Sequence, residues 1–319
     1  MTTRRRFLQT LATLAALSTT SSAFGGSPGR GQQAASPPPP SPPRGELITR
    51  PIPASGERLP VIGLGTSRTF DVGTDPEAQT RLRAVLSAFF AQGGRLIDSS
   101  PMYGSAEAVL GALLAALKPA RLFAATKVWT DGREAGIAQM ERSRALWGVA
   151  RFDLMQIHNL RDWEVHIETL KQWKAEGKIR YIGITTSHGR AHEELARALE
   201  REPFDFVQFS YSLAERKAES RLLPLAAERG IAVIVNRPFA RGELFDKVRG
   251  RDLPEWAREF DCTSWARFFL KFVVSHPAVT CAIPATSKVE HMADNMAAGF
   301  GRLPDEALRR RMLAYMESL

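Results

Sequence analysis

Asp153-Leu154-Met155-Gln156-Ile157-His158 is a short, largely apolar run that ends in a histidine and is followed by an amphipathic stretch, Val165–Ala175. A run of that length cannot carry a helix of ordinary size, but it suits a buried strand. The same couplet recurs along the chain. Strands are predicted at Val61–Gly65, Arg95–Asp98, Leu122–Lys127, Asp153–His158, Tyr181–Ile184, Phe206–Phe209, Ala232–Asn236 and Thr280–Pro284. Between and after them fall helical segments such as Glu77–Gln92, Ala106–Leu117, Glu134–Leu146, His192–Leu199, Ser220–Glu228, Ser264–Ser275 and 288–298, and a terminal helix is expected near Asp305–Ser318. Eight repeated βα units predict a closed parallel (β/α)₈ TIM barrel of the α/β class, occupying residues 46–319. Ile48–Leu59, with Ser55-Gly56 at a turn, predicts an N-terminal β-hairpin capping the barrel floor. An open doubly wound sheet fits less well, because Gly63-Leu64-Gly65-Thr66 lacks the third glycine of a dinucleotide fingerprint.

Composition narrows the functional classes. Of 319 residues, 44% are hydrophobic and 24% charged, which supports one full-sized core. The net charge is +9, or +6 without the three arginines Arg4, Arg5 and Arg6. The remaining basic residues are interspersed with Asp and Glu along helix faces, a solvated surface rather than a nucleic-acid patch. Arg309-Arg310-Arg311 reads the same way. Cys262 and Cys281 have no metal-binding spacing and read as buried small hydrophobes, with one disulfide as the alternative in an oxidising compartment.

Thr3-Arg4-Arg5-Arg6-Phe7-Leu8-Gln9 has the twin-arginine pattern, and a short apolar run, Leu11 to Leu17, leads to Ser21-Ser22-Ala23. That order predicts a Tat signal peptide over 1–23, cleaved after Ala23; the apolar run is too short to span a bilayer. Residues 24–45, with Pro37-Pro38-Pro39-Pro40, form a Pro/Gly/Ser-rich linker that cannot pack a core. The expectation is export by the Tat machinery, which carries folded proteins, to the periplasm, with no stable membrane span after processing.

In such barrels the chemistry sits at the C-terminal strand ends. Four residues there are reactive in type: Asp98, then Tyr103 five residues on, Lys127 and His158. They fit one task, protonating a carbonyl oxygen as hydride reaches its carbon. Tyrosine is a weak acid at neutral pH, so Lys127 is expected to lower its pKa, Asp98 to hold the ammonium, and His158 to orient the carbonyl. Schiff-base chemistry on Lys127 is the poorer alternative, since Asp98 beside it opposes a neutral lysine.

Leu96–Gly104, Ala125-Thr126-Lys127-Val128-Trp129 and Asp153–Asn159 resemble, in order and spacing, three motifs of the aldo-keto reductases. The similarity continues through Gly177–Ile184, Val207–Tyr211 and Ile283–Lys288 with Asn295, covering residues 47–300. It implies NADP(H)-dependent reduction of a small-molecule carbonyl, with Asp98, Tyr103, Lys127 and His158 as catalytic tetrad and Tyr103 as general acid. It implies Gln208 on the nicotinamide carboxamide, with Thr185, Thr186, Asn236, Arg237 and Pro238 also on the cofactor. Thr286, Ser287 and Lys288 fall at the adenosine 2′-phosphate, and Asp294 and Asn295 at the adenine. Trp129, Trp163 and Phe239 are candidate substrate-pocket walls, and Trp256 a wall or lid.

The chain departs from the family pattern at three places. Thr185-Thr186 stands where Ser-Asn is common, Asn236-Arg237-Pro238-Phe239 where an aromatic residue stacks on the nicotinamide, and His291 where NADP-preferring members carry arginine. The export expectation also supports another class, a nucleotide-binding sensor or accessory subunit with little turnover.

Overall fold

The computed structural model describes residues 45–319. The expected signal, 1–23, and the expected linker up to residue 44 lie outside the described residues. An antiparallel hairpin comes first, β1 (Thr49–Pro51) with β2 (Arg58–Pro60). Eight parallel strands follow: β3 (Leu64–Gly65), β4 (Leu96–Asp98), β5 (Phe123–Val128), β6 (Phe152–Ile157), β7 (Ile179–Thr185), β8 (Phe206–Ser210), β9 (Ala232–Asn236) and β10 (Val279–Ala282). Their order in space is their order in sequence. Backbone bonds join the two edges: Gly63 N–H donates to the Ala282 carbonyl (2.8 Å), Ala282 N–H to that of Val61 (2.9 Å) and Gly65 N–H to that of Pro284 (3.1 Å). That seam is why β3 is only two residues long where a five-residue strand is expected: Val61–Gly63 bond across to the last strand as an isolated bridge.

Around the barrel lie α1 (Pro76–Ala91), α2 (Ala106–Leu117), α3 (Arg133–Trp147), α4 (Trp163–Ala175), α5 (His192–Arg201), α6 (Leu222–Glu228), α8 (Trp265–Ser275), α9 (Val289–Ala297) and α10 (Glu306–Glu317). A short α7 (Glu243–Lys247), which no helical period announces, follows β9. Helix starts are set by local chemistry. The Asp75 carboxylate accepts from the Glu77 and Ala78 amides with Pro76 just inside α1, and Ser264 and Asp305 cap α8 and α10.

Strand side chains alternate between two cores. Those pointing out, such as Ile97, Ala124, Met155, Ile184, Val207 and Val233, pack beneath the helices. Those pointing in, among them Leu96, Phe123, Leu154, Tyr181, Phe206 and Ile234, fill the lower barrel with Ile52 and Leu59 of the hairpin. Glu57 fastens that hairpin to the floor by pairing with Arg95 (2.8 Å) and Arg180, and Arg180 also pairs with Asp153 (2.7 Å).

Two expectations change, one of the surface and one of the pocket. Arg309 turns inward and donates to the Tyr211 hydroxyl and Ser275 Oγ, both at 2.7 Å, because α10 lies across the end of α8; Arg310 and Arg311 stay on the surface, paired with Glu306 and Glu259. Trp256, expected as a wall or lid of the substrate pocket, packs instead against Phe268 and Tyr315. Cys262 and Cys281 are both buried and free. Among the described residues, no helix is long and apolar enough to cross a membrane.

Candidate active site

The inward alternation continues to the strand tops, but there it changes chemistry. Above Leu96 comes Asp98, above Phe123 and Ala125 comes Lys127, and above Leu154 come Gln156 and His158. Above Phe206 come Gln208 and Ser210, and above Ala232 and Ile234 comes Asn236. Asp98, Lys127, Gln156, His158 and Gln208 are all buried, so a polar layer sits on the apolar one. Gln156 has room because position 183 in β7 is glycine: a Cβ there would lie 2.7 Å from the Gln156 Cγ.

This layer floors a cavity of about 730 Å³ at the C-terminal strand ends, whose wall includes Asp98, Tyr103, His158, Thr186, Gln208 and Asn236. Lys127 lies directly under it, with no exposed surface. Its Nζ donates to Asp98 Oδ2 (2.5 Å) and to the Ser99 carbonyl (2.7 Å), and stands 5.3 Å from the centroid of the Tyr103 ring. The other Asp98 oxygen accepts from Gln156 Nε2 (2.8 Å) and Gln208 Nε2 (3.0 Å). The His158 ring meets the Tyr103 ring edge-on at 5.8 Å, and its Nδ1 is 2.9 Å from Ser100 Oγ.

Burial acts on each of these groups. It pushes the Lys127 ammonium down, but the charges and hydrogen bonds of Asp98 and Tyr103 together more than offset it, and the lysine stays above its ordinary value. It pushes the Tyr103 phenol up, and nearby Lys127 only partly offsets that; the net shift is upward, not the downward shift expected from the lysine alone. Burial, then the Lys127 charge, takes His158 down to about 2, so its imidazole is neutral. The site therefore holds a protonated tyrosine, a charged lysine and an uncharged histidine.

Beside this group is a set of amides and hydroxyls suited to a planar amide ligand. Asn236 Nδ2 donates to the Thr186 carbonyl (2.9 Å) and lies 3.3 Å from Gln208 Oε1, while Ser210 Oγ donates to Asn236 Oδ1 (2.7 Å). The Thr185 hydroxyl accepts from the Asn159 amide (3.0 Å). The buried Thr186 hydroxyl has no partner among the described residues, so a ligand polar atom can be received there. Pro238 and Arg237 continue this wall.

The structure does not gather every candidate at the cavity. Phe239 lines it, packed 4.9 Å from Phe245. Trp163 begins α4 and belongs to the outer core, and Trp129 is held to the side with the Arg161 guanidinium 4.7 Å from its ring; neither is on the wall. Ala285 is the last residue of its loop on the wall, so Thr286, Ser287, Lys288, Asp294 and Asn295 lie beyond it. Thr286 Oγ1 accepts from the Lys288 amide (3.1 Å), and Asn295 is buried in α9. Asp294 is engaged within the fold, accepting from Arg267 Nε (2.7 Å) and Ser264 Oγ (2.6 Å).

Several participants escape a sequence reading. Gln156 carries a usable signal, two residues before His158 and hence on the same strand face. Ser100, Asp71 and Phe245 carry none. Asp71, on the cavity wall, accepts from both the amide and the hydroxyl of Ser105 at 2.8 Å and so clamps the loop bearing Tyr103.

Residues 61–311 match the model of the aldo/keto reductase family. The chain is 26% identical over 262 residues to a 9,11-endoperoxide prostaglandin H2 reductase of Trypanosoma cruzi, covering 79% of this chain and 87% of that one. It is 24% identical over 298 residues to a probable aldo-keto reductase 1 of Glycine max, covering 80% and 85%. Among solved structures, an aldo-keto reductase from Klebsiella pneumoniae in complex with NADPH superposes with a TM-score of 0.70 at 26% identity, covering 86% of this chain and 95% of that one.

Proposed function

The chain belongs to the aldo/keto reductase family, and from that premise we propose that it is an NADP(H)-dependent oxidoreductase that reduces an aldehyde or ketone to an alcohol, with Tyr103 as general acid. The observation that carries the reading is the buried Asp98–Lys127 pair beneath Tyr103, with neutral His158 against the same ring at the floor of one cavity. The unpartnered Thr186 hydroxyl, with Gln208 and Asn236, fits a nicotinamide carboxamide. When bound, the reduced cofactor supplies hydride to the carbonyl carbon. Thr286, Ser287 and Lys288, just before and at the N-terminus of α9, are assigned to the 2′-phosphate, where free backbone amides and an ammonium suit an anion.

The chain's own part is to manage one proton. Burial keeps Tyr103 protonated until a carbonyl oxygen beside it takes on negative charge. The Tyr103 proton then passes to that oxygen, and the Lys127 charge stabilises the tyrosinate left behind. Asp98 keeps Lys127 charged and fixed, which also argues against Schiff-base chemistry, because that requires a neutral amine. His158 contributes a directed hydrogen bond. Ser100 Oγ, which accepts weakly from the Met102 amide (3.4 Å), has its own proton available for Nδ1, so Nε2 keeps the ring hydrogen for the carbonyl.

Tyr103→Phe tests this assignment: reduction of aromatic and aliphatic aldehydes with NADPH is expected to fall by roughly 10²–10⁴-fold, with NADPH binding retained. Unchanged turnover would remove Tyr103 from the acid role. Nucleotide that co-purifies with the wild-type protein and neither exchanges nor turns over would favour a sensor instead. We further propose export to the periplasm, on the twin-arginine pattern of Arg4 and Arg5. A mature N-terminus near Phe24 in the exported fraction supports this, and an intact Met1 in the cytoplasmic fraction alone counts against it.

A further inference from the structure

The loops around the cavity carry positive charge that the proton chemistry does not use. Arg68 follows β3, Arg237 and Arg241 follow β9, and all three are on the wall that holds Tyr103 and His158. Arg190, after β7, is close enough to act on them. Burial first, then the Arg241, Arg68 and Arg190 guanidiniums, hold Arg237 below its ordinary value, and Glu243 opposes them. His188 in the same group is held low by burial and by Arg237, Arg190 and Arg241, so it is neutral at pH 7.

None of these four arginines forms an ion pair among the described residues. The two wall carboxylates are committed elsewhere, Asp98 to Lys127 and Asp71 to Ser105. Arg68, Arg237 and Arg241 have φ of 65°, 55° and 61°, in the left-handed region that arginine seldom enters. Like charges brought together at one mouth are an arrangement that an anion relieves.

We propose that Arg68 and Arg241, beside the cofactor-side Arg237, form an anion subsite for the substrate, so that the carbonyl compound reduced here carries a carboxylate or phosphate held at the rim while its carbonyl reaches Tyr103. The proposal rests on the reductase reading and names its substrate class. The same chemistry would suit the diphosphate of the dinucleotide. The substrate is favoured because Arg68 and Arg241 line the same cavity as Tyr103, Met102, Phe239 and Phe245, whereas Thr286–Lys288 are not on its wall.

The test compares 4-carboxybenzaldehyde with the methyl ester of the same acid under saturating NADPH, in the wild type, Arg241→Gln and Arg68→Gln. Equilibrium dissociation constants are measured alongside for NADPH and for 4-(hydroxymethyl)benzoate, the alcohol product. The wild type is expected to favour the carboxylate at least about tenfold in kcat/KM, equivalent to about 1.4 kcal/mol. Each variant is expected to reduce that ratio at least about fivefold, mainly through KM of the carboxylate, and added salt to erode it. Equal kcat/KM for the two aldehydes in the wild type overturns the proposal. So does a loss of NADPH affinity as large as the loss for the carboxylate, which would assign the arginines to the cofactor diphosphate. If neither aldehyde is turned over, the reductase reading fails by itself. Binding of 4-(hydroxymethyl)benzoate that weakens in Arg241→Gln then still supports an anion subsite, and absence of that binding overturns it.

Discussion

Lys127→Met removes a charge from the best-enclosed ion pair among the described residues while leaving a side chain of similar length. Lys127 and Asp98 have side-chain exposures of 0% and 3%, and the lysine gives up two hydrogen bonds, to Asp98 Oδ2 and to the Ser99 carbonyl. Stranding a buried charge in this way costs about 3–5 kcal/mol. Asp98 keeps its two glutamine donors on the other oxygen, which places the cost near the lower end, about 3 kcal/mol. For a domain of this size that is a drop of roughly 5 °C in Tm. The double variant Asp98→Asn with Lys127→Met leaves no unpaired buried charge at this site, so it is expected to recover about 2 kcal/mol relative to Lys127→Met. Scanning calorimetry at pH 7 on the four proteins of the cycle reads this directly, with circular dichroism as a check that each is folded. A Lys127→Met protein melting within about 2 °C of wild type, or a double variant that loses the sum of the two singles, would refute the picture of two charges that compensate each other.

Gly104→Ala puts a Cβ 2.4 Å from the Asp71 carboxylate at a residue with φ of +59°. It is expected to cost about 1–2 kcal/mol and to lower kcat by displacing Tyr103, with NADPH affinity nearly unchanged; wild-type kcat and Tm would contradict the clamp. His158 has a folded pKa of about 2 against 6.5 for the free side chain. The unfolded chain therefore binds this proton first, the contribution to stability is full above pH 6.5, and it is lost progressively as pH falls toward 2. Between pH 4 and 6, Tm of His158→Gln is expected to fall less steeply than that of wild type, by up to one proton's worth of slope, and parallel curves would contradict a neutral buried imidazole. Lys288→Ala is expected to weaken NADPH binding about tenfold, within the range for a charge-assisted phosphate contact, and to leave NADH nearly untouched. Equal losses for both would move the 2′-phosphate elsewhere.

The barrel was legible because its strands obey period two and its helices a longer period, signals that survive without any knowledge of neighbours. Ala232–Asn236 and Ala106–Leu117 have the predicted bounds, and the hairpin lies where Ser55-Gly56 placed its turn. Asp98, Lys127 and His158 were legible for the same reason, as polar residues ending apolar runs. Tyr103 stands on a loop with no period and was legible only through its place five residues after Asp98 and the acid chemistry of the group, which the resemblance then reinforced. Trp129 and Trp163 misled as cavity walls because following a strand end does not fix the direction of a side chain. Phe239 follows a strand end too, but its loop is turned over the cavity by left-handed residues, Arg237, Ala240 and Arg241, that nothing in their identity announces. The rise in the Tyr103 pKa was also out of reach, since it depends on how completely the surrounding chain excludes water.

The change from apolar to polar halfway up each strand also separates two kinds of selective pressure. The lower tier, with Phe123, Leu154, Tyr181 and Phe206 fully or nearly fully buried, answers only to packing. Arg68 and Arg241 on their loops and Phe245 on the short α7 stand above it and are no part of that packing. New specificities can therefore be sampled in those loops while foldability is held constant below. Libraries that vary positions 68, 102, 239, 241 and 245 should retain a high fraction of folded members, whereas the same mutational load placed on the lower tier should not.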